Sequence, residues 1–255
     1  MARSREHARE LITSGAVVLN GLVAHKPATQ VDASASLAVR DVALAATSAF
    51  VSRGAVKLVG ALDHFTSAGL DVSARRCLDA GASTGGFTEV LLQRGAHSVV
   101  AVDVGYGQLA WKLQQDPRVH VMDRTNVRYL KLSDLEEPVD VVVADLSFIS
   151  LELVLPALVG VSTPDADVLV MVKPQFEVGR ERLGAGGVVR DSAMRVQAVC
   201  AVGASAQVLG LGARGVVASS LPGPAGNVEY FLWLNATAPP LVVEDVERAV
   251  NEGPK

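Results

Sequence analysis

The chain has 255 residues, enough for one large domain and a small one, and its 49% hydrophobic and 20% charged residues exclude a disordered protein. No apolar run reaches the roughly 18 uncharged residues a membrane helix needs, and nothing after Met1-Ala2-Arg3-Ser4-Arg5-Glu6 resembles the apolar core of a secretory signal. The net charge of −4 argues against a nucleic-acid partner, yet the charge is unevenly spread. Residues 1–58 carry seven Lys/Arg against four Asp/Glu, and residues 59–255 sixteen against twenty-three. A basic front on an acidic body suits a nucleic-acid-touching arm joined to a small-molecule-binding domain. Cys77 and Cys200 form neither a disulfide framework nor a metal-binding spacing, and both are expected to be reduced and buried in a cytoplasmic protein.

In chain order, residues 3–14 read as a helix with Ala8, Leu11 and Ile12 on one side, ended by Ser14-Gly15. Ala16–Leu19 reads as a strand, Asn20-Gly21 as a hairpin turn, Leu22-Val23 as the return strand, and Ser36–Val39 as another. The run Ser4, Arg5, Ala8, Leu11, Ile12, Gly15, Val17, Leu19, Asn20, Gly21 resembles the S4-type RNA-binding module. The resemblance implies a module over residues 1–47, with Arg3, Arg5 and Arg9 as RNA contacts. That module normally begins with a further helix, so the true start is expected to lie upstream.

A linker is expected over 48–56, passing through Ser52-Arg53-Gly54. From Lys57 to the end, strand-like apolar runs alternate with helical stretches. The expected strands are Arg76–Asp79, Ser98–Asp103, His120–Met122, Val139–Asp145, Val168–Val172, Gly215–Ser219 and Glu229–Leu234. Such alternation predicts an α/β domain with a mostly parallel seven-stranded sheet covered on both faces. Val242–Asn251 reads as a short amphipathic helix. His97 and His120 are expected to be packed beside strands.

Leu78-Asp79-Ala80-Gly81-Ala82-Ser83-Thr84-Gly85-Gly86-Phe87-Thr88 has an acidic residue closing a strand, glycines for a turn, and a helix beyond. Loops at the C-terminal ends of parallel strands are where such sheets bind ligands, and glycines let a ligand approach the backbone. The spacing is not the G-x-G-x-x-G of dinucleotide folds; it looks like the version found in S-adenosylmethionine (SAM)-dependent methyltransferases. Asp79, Gly81, Ser83, Thr84, Gly85, Gly86 and Phe87 are therefore candidates for the methionine end of the cofactor. Asp103, closing the next strand, suits a carboxylate that accepts both ribose hydroxyls. Asp123, past the third strand, is a candidate adenine contact or a solvated loop residue.

Four further polar residues stand at the ends of predicted elements: Lys57, Asp145 in Asp-Leu-Ser-Phe, Lys173 in Val-Lys-Pro-Gln-Phe-Glu, and Glu229 in Gly-Asn-Val-Glu. They resemble the Lys-Asp-Lys-Glu set of the FtsJ-like ribose 2′-O-methyltransferases. With the S4-type front, nearly the whole chain resembles the TlyA family, whose members carry both haemolysin and ribosomal RNA methyltransferase names. The resemblance implies methyl transfer from SAM to cytidine 2′-hydroxyls of small- or large-subunit ribosomal RNA (rRNA), in ribosomal subunits. A ribose hydroxyl is too weak an acid to ionise at neutral pH, so catalysis needs alignment and removal of one proton. By the resemblance, Lys173 is the base, Lys57 favours its neutral form and orients the hydroxyl, and Asp145 and Glu229 hold the two ammonium groups. Neither a metal nor a covalent intermediate is called for. Two alternatives are an NAD-dependent oxidoreductase, which leaves the Lys/Asp/Lys/Glu set unexplained, and a membrane-active haemolysin.

Overall fold

The computed structural model describes residues 5–13, 17–19, 22–24, 26–32, 35–39, 50–223 and 225–254. It divides into two compact units, Met1–Phe50 and Val51–Lys255. In the first, helix α1 (Arg5–Thr13) precedes strands β1 (Val17–Leu19), β2 (Leu22–Val23) and β3 (Leu37–Val39), which pair antiparallel in the order β2-β1-β3. Leu11 and Val17 are buried while Arg5 and Arg9 are exposed, as the helical periodicity predicts. Leu19 stands opposite Leu22, the register a two-residue hairpin requires. Arg3, Ser14-Gly15, Asn20-Gly21 and the first two positions of the expected linker, 48 and 49, lie outside the described residues.

The second unit is a seven-stranded sheet of order β6-β5-β4-β7-β8-β10-β9. Its strands are β4 (Arg76–Ala80), β5 (Ser98–Val102), β6 (Val119–Met122), β7 (Val139–Ala144), β8 (Ser162–Val172), β9 (Gly212–Ala218) and β10 (Tyr230–Asn235). The pairings among β6, β5, β4, β7 and β8 are parallel; β10 runs antiparallel between β8 and β9. The helices are α2 (Gly54–Thr66), α3 (Gly86–Gln93), α4 (Trp111–Gln114), α5 (Leu155–Gly160), α6 (Pro174–Glu177), α7 (Ser192–Val208) and α8 (Val243–Glu252). Central strands such as Ser-Val-Val-Ala-Val and the second half of β8 are buried throughout, because strands covered on both faces need continuous apolar runs rather than alternation.

Several boundaries differ from the sequence expectation for identifiable reasons. Gly54–Val56, read as the tail of a linker, are the first turn of α2, whose buried stripe runs through Leu58, Ala61, Leu62 and Phe65. β8 begins six residues early, because Ser162-Thr163-Pro164-Asp165 still runs alongside the sheet, with Ser162 opposite Val139. β9 begins three residues early. A Cβ on its Gly212 would sit 2.1 Å from the Ala238 carbonyl oxygen, so the glycine serves a close backbone approach. His97 and His120 are exposed rather than packed, His120 because β6 is the sheet's edge. Cys77 is buried and its thiol pushed up to about 12 by that burial, whereas Cys200 is only half-buried, on α7.

Candidate active site

The four polar residues singled out from the sequence form two ion pairs at the C-terminal ends of the central strands. Lys57, in the first turn of α2, reaches Glu229 with Nζ to Oε2 at 2.5 Å. Lys173, directly after β8, reaches Asp145 with Nζ to Oδ1 at 2.5 Å and donates to Ser147 Oγ at 3.0 Å. Tyr230 is opposite Val172 in the β10–β8 register, so one further step along each chain brings Glu229 and Lys173 alongside one another. Lys57, Lys173 and Glu229 are all buried. Buried ion pairs add little to stability compared with well-packed apolar side chains of the same volume, so folding alone gives no reason for this set.

The glycine loop lies at the same end. Asp79, in β4, is fully buried; its Oδ2 accepts from Thr88 Oγ1 at 2.7 Å and its Oδ1 has no hydrogen-bond partner. Burial pushes the Asp79 carboxyl up to about 7, against the pull of the Thr88 hydrogen bonds, and the Asp145 and Asp103 charges add to the rise. Gly81 has φ +90°, and a Cβ there would lie 2.5 Å from the Asp145 carbonyl oxygen. Gly85 has φ +96° at the N-cap of α3, and a Cβ on Gly86 would lie 2.2 Å from Ser52 Oγ. The glycines are thus required by φ and by protein neighbours, a reason separate from ligand access. Ser83 and Thr84 are exposed, while the Phe87 ring packs in the core with its centroid 6.1 Å from that of Phe231. Asp103 accepts from Ser83 N at 2.8 Å and Gly105 N at 2.6 Å, and Asp123 accepts from Gly107 N at 2.8 Å. Backbone N–H groups therefore fix both carboxylates, and each of these oxygens keeps a lone pair for a further donor.

Five residues escaped the sequence reading. Thr88 was visible only as the residue one turn into α3, on the face toward Asp79. Ser147 holds Lys173. Phe148 has φ +65°, is 91% exposed, and lies 5.2 Å, centroid to centroid, from Phe176. Glu177 accepts from Ser150 Oγ at 2.6 Å and Leu151 N at 3.0 Å, tying the loop after β7 to the turn after β8; burial pushes its carboxyl up. Asn227, also buried, accepts from Val189 N at 2.9 Å and donates to the Gly187 carbonyl at 3.0 Å. It clamps the Gly187–Val189 segment to the loop before β10. An Asn two positions before Glu229 was the available signal. Among the described residues no group of three or more His, Cys, Asp or Glu could hold a metal ion, and no helix is long and apolar enough to cross a membrane.

With this geometry in hand, the relatives are informative. The sequence profile of the FtsJ-like methyltransferases matches residues 50–236, and that of the S4 domain residues 1–37. The 16S/23S rRNA (cytidine-2′-O)-methyltransferase TlyA of Mycobacterium tuberculosis is 58% identical over 260 residues, covering 100% of this chain and 94% of that one. Hemolysin A of Brachyspira hyodysenteriae is 33% identical, covering 89% and 92% respectively. A solved structure from Streptococcus thermophilus that carries a hemolysin name superposes with a TM-score of 0.80 at 39% identity, over 98% of this chain and 90% of that one. Fold and sequence agree: the chain belongs to the TlyA family of FtsJ-like methyltransferases.

Proposed function

We propose that this protein transfers a methyl group from SAM to the 2′-hydroxyl of cytidine in rRNA of the small or large ribosomal subunit. The pairing of Lys57 with Glu229 and of Lys173 with Asp145, at the strand ends beside the glycine loop, carries the reading. The unpartnered, buried Asp79 Oδ1 suits a cationic donor, which the amino group of SAM provides. Asp103, oriented by two backbone N–H groups, suits the ribose hydroxyls, and Asp123 the far end of the nucleoside. Bound there, SAM supplies an electrophilic methyl group on its sulfonium.

The chain's own residues align the acceptor and take its proton. Lys173, held between Asp145 and Ser147, gives one ammonium proton to solvent and as the neutral amine takes the hydroxyl proton at Nζ while the ribose oxygen takes the methyl group from the sulfonium. Lys57, held by Glu229, donates to the ribose oxygen and fixes its direction of attack. Glu177 keeps the loop bearing Asp145 and Ser147 in step with Lys173. Phe148 offers an exposed ring beside the site on which the target base can stack. Arg3, Arg5 and Arg9 of the S4 module supply phosphate contacts. The test is to map 2′-O-methyl cytidines in rRNA from cells with and without the protein, then restore them with purified protein and SAM. Identical maps would refute the reading, as would full restoration by Lys173→Ala.

A further inference from the structure

The methyltransferase unit has a second feature that suits RNA, away from the four-residue set. The segments leaving β5 and β6 carry three of the four large aromatic rings exposed among the described residues: Tyr106 at 70%, Trp111 at 73% and Tyr129 at 66%. The first loop is joined to the start of the second, and the two together are termed the rim. Arg124 N donates to the Gly105 carbonyl at 2.8 Å, and Gly107 N donates to Asp123 Oδ2 at 2.8 Å. Ala110 N, just before α4, donates to the Thr84 carbonyl at 3.1 Å, which ties the rim to the glycine loop. The Arg124 guanidinium lies 4.2 Å from the Tyr106 ring centroid, and that of Arg128 lies 5.7 Å from the Tyr129 centroid.

Charge sets this rim apart from the body that carries it. Residues 104–131 hold five Lys/Arg against two Asp, within a body that otherwise holds eleven against twenty-one. Two of the five are engaged, Lys112 with Glu89 and Arg118 with Asp116. Arg124, Arg128 and Lys131 are exposed and have no acidic partner among the described residues. A core-directed role for the rings fails on their exposure, since burial is what an aromatic side chain contributes to a fold. Flat rings interleaved with unpaired cations match unpaired bases between phosphates.

We infer that this rim is a second RNA-contact surface, on which Tyr106, Trp111 and Tyr129 stack unpaired bases while Arg124, Arg128 and Lys131 hold the flanking phosphates. The inference rests on the rRNA reading above and extends it from the reacting nucleotide to its neighbours. Two variant sets test it in the full-length protein: Tyr106→Ala, Trp111→Ala and Tyr129→Ala, each singly and all three together, and Arg124→Glu with Arg128→Glu and Lys131→Glu. Affinity for a single-stranded RNA oligonucleotide, for purified ribosomal subunits and for SAM is measured across a salt series, with thermal melts alongside.

Each ring removed singly should weaken RNA binding on the order of tenfold. The triple charge reversal should lower the slope of log affinity against log salt by about 2, at roughly 0.7 per single-strand phosphate contact. SAM affinity and melting temperature should stay at wild-type values, and the S4 module sets the floor of remaining RNA binding. Unchanged RNA affinity and slope would overturn the inference. A loss of SAM affinity on Tyr106→Ala would also overturn it, by assigning the ring to the cofactor. So would weakened binding to subunits with unchanged binding to the oligonucleotide, which would assign the rim to a ribosomal protein. A wild-type protein that binds the oligonucleotide through the rim but methylates no rRNA would instead sink the activity reading alone.

Discussion

Asp79→Asn separates the cofactor's demand on this site from the fold's demand on it. The wild-type carboxyl is fully buried and held up to about 7, mainly by desolvation, against an ordinary 3.8. Between about pH 4 and 7 the folded protein keeps a proton that the unfolded chain has released. Stability therefore falls as pH rises through that window and is level above it. At ~1.4 kcal/mol per pH unit, the rise from 3.8 to about 7 costs up to about 4 kcal/mol by neutral pH. An asparagine can still accept from Thr88 Oγ1 but never ionises. Its buried amide has an unpartnered donor, which costs about 1–3 kcal/mol at every pH. The informative quantity is thus the change with pH in the stability difference between variant and wild type, not the difference at any one pH. Urea unfolding without cofactor, followed by tryptophan fluorescence, reads it directly, because both tryptophans, Trp111 and Trp233, lie in the methyltransferase unit. From about pH 4 to 8 the variant should gain on wild type by up to about 4 kcal/mol. SAM binding should move the other way: wild-type affinity falls as pH drops below about 7, while the variant binds weakly with little pH dependence. Parallel stability profiles would refute the claim that burial holds a proton on Asp79. Wild-type SAM affinity in the variant would refute its contact with the cofactor's amino group.

Asp103→Ala removes two charge-assisted hydrogen bonds to the ribose, each worth roughly 1.5–3 kcal/mol, and should weaken SAM binding about a hundred- to ten-thousandfold by calorimetry. Equal affinities would remove Asp103 from the cofactor site. Lys173→Ala and Lys173→Arg should both abolish methylation with SAM affinity kept, because a guanidinium cannot accept the proton in Lys173's place; an active arginine variant leaves Lys173 an orienting role only. Glu229→Ala strands the buried Lys57 ammonium and should destabilise the fold by about 3–5 kcal/mol. Replacing both Lys57 and Glu229 with methionine should restore most of that loss in a urea melt but not restore methylation. Restored methylation would make the pair purely structural.

The order of strands and helices was legible because long apolar runs bounded by glycine and acidic residues leave little choice of element. Val139–Ala144 and Ser98–Val102 are strands within one residue of their expected limits. Boundaries failed where long-range contacts outvote local signals, as at Gly212 and at Ser162–Asp165. Lys57 was legible only through the family resemblance; the structure puts it on the buried stripe of α2, where periodicity calls for an apolar side chain. A lysine placed there needs a carboxylate, and Glu229, 172 residues further on, supplies it. No spacing rule links residues so far apart; the FtsJ-like resemblance did. Thr88, Ser147, Glu177 and Asn227 stayed hidden because a hydroxyl, carboxyl or amide looks the same in sequence whether it faces water or holds a second segment of chain.

An RNA-modifying enzyme with a net charge of −4 looks paradoxical only while charge is summed over the whole chain. At physiological salt a surface charge is felt over about 8 Å, so a phosphate responds to the patch it touches. The acidic residues of the body do two kinds of work. Asp79, Asp145 and Glu229 hold or await cations inside the site, and exposed acids such as Glu136, Glu137 and Glu244 repel a polyanion from the rest of the surface. Repulsion elsewhere sharpens the choice of docking face, because a like-charge juxtaposition costs more than a neutral one. In this reading, neutralising exposed acids far from the site would raise affinity for arbitrary RNA more than for rRNA. The acidic body would then serve selectivity, and the basic arm and the aromatic rim would serve attachment.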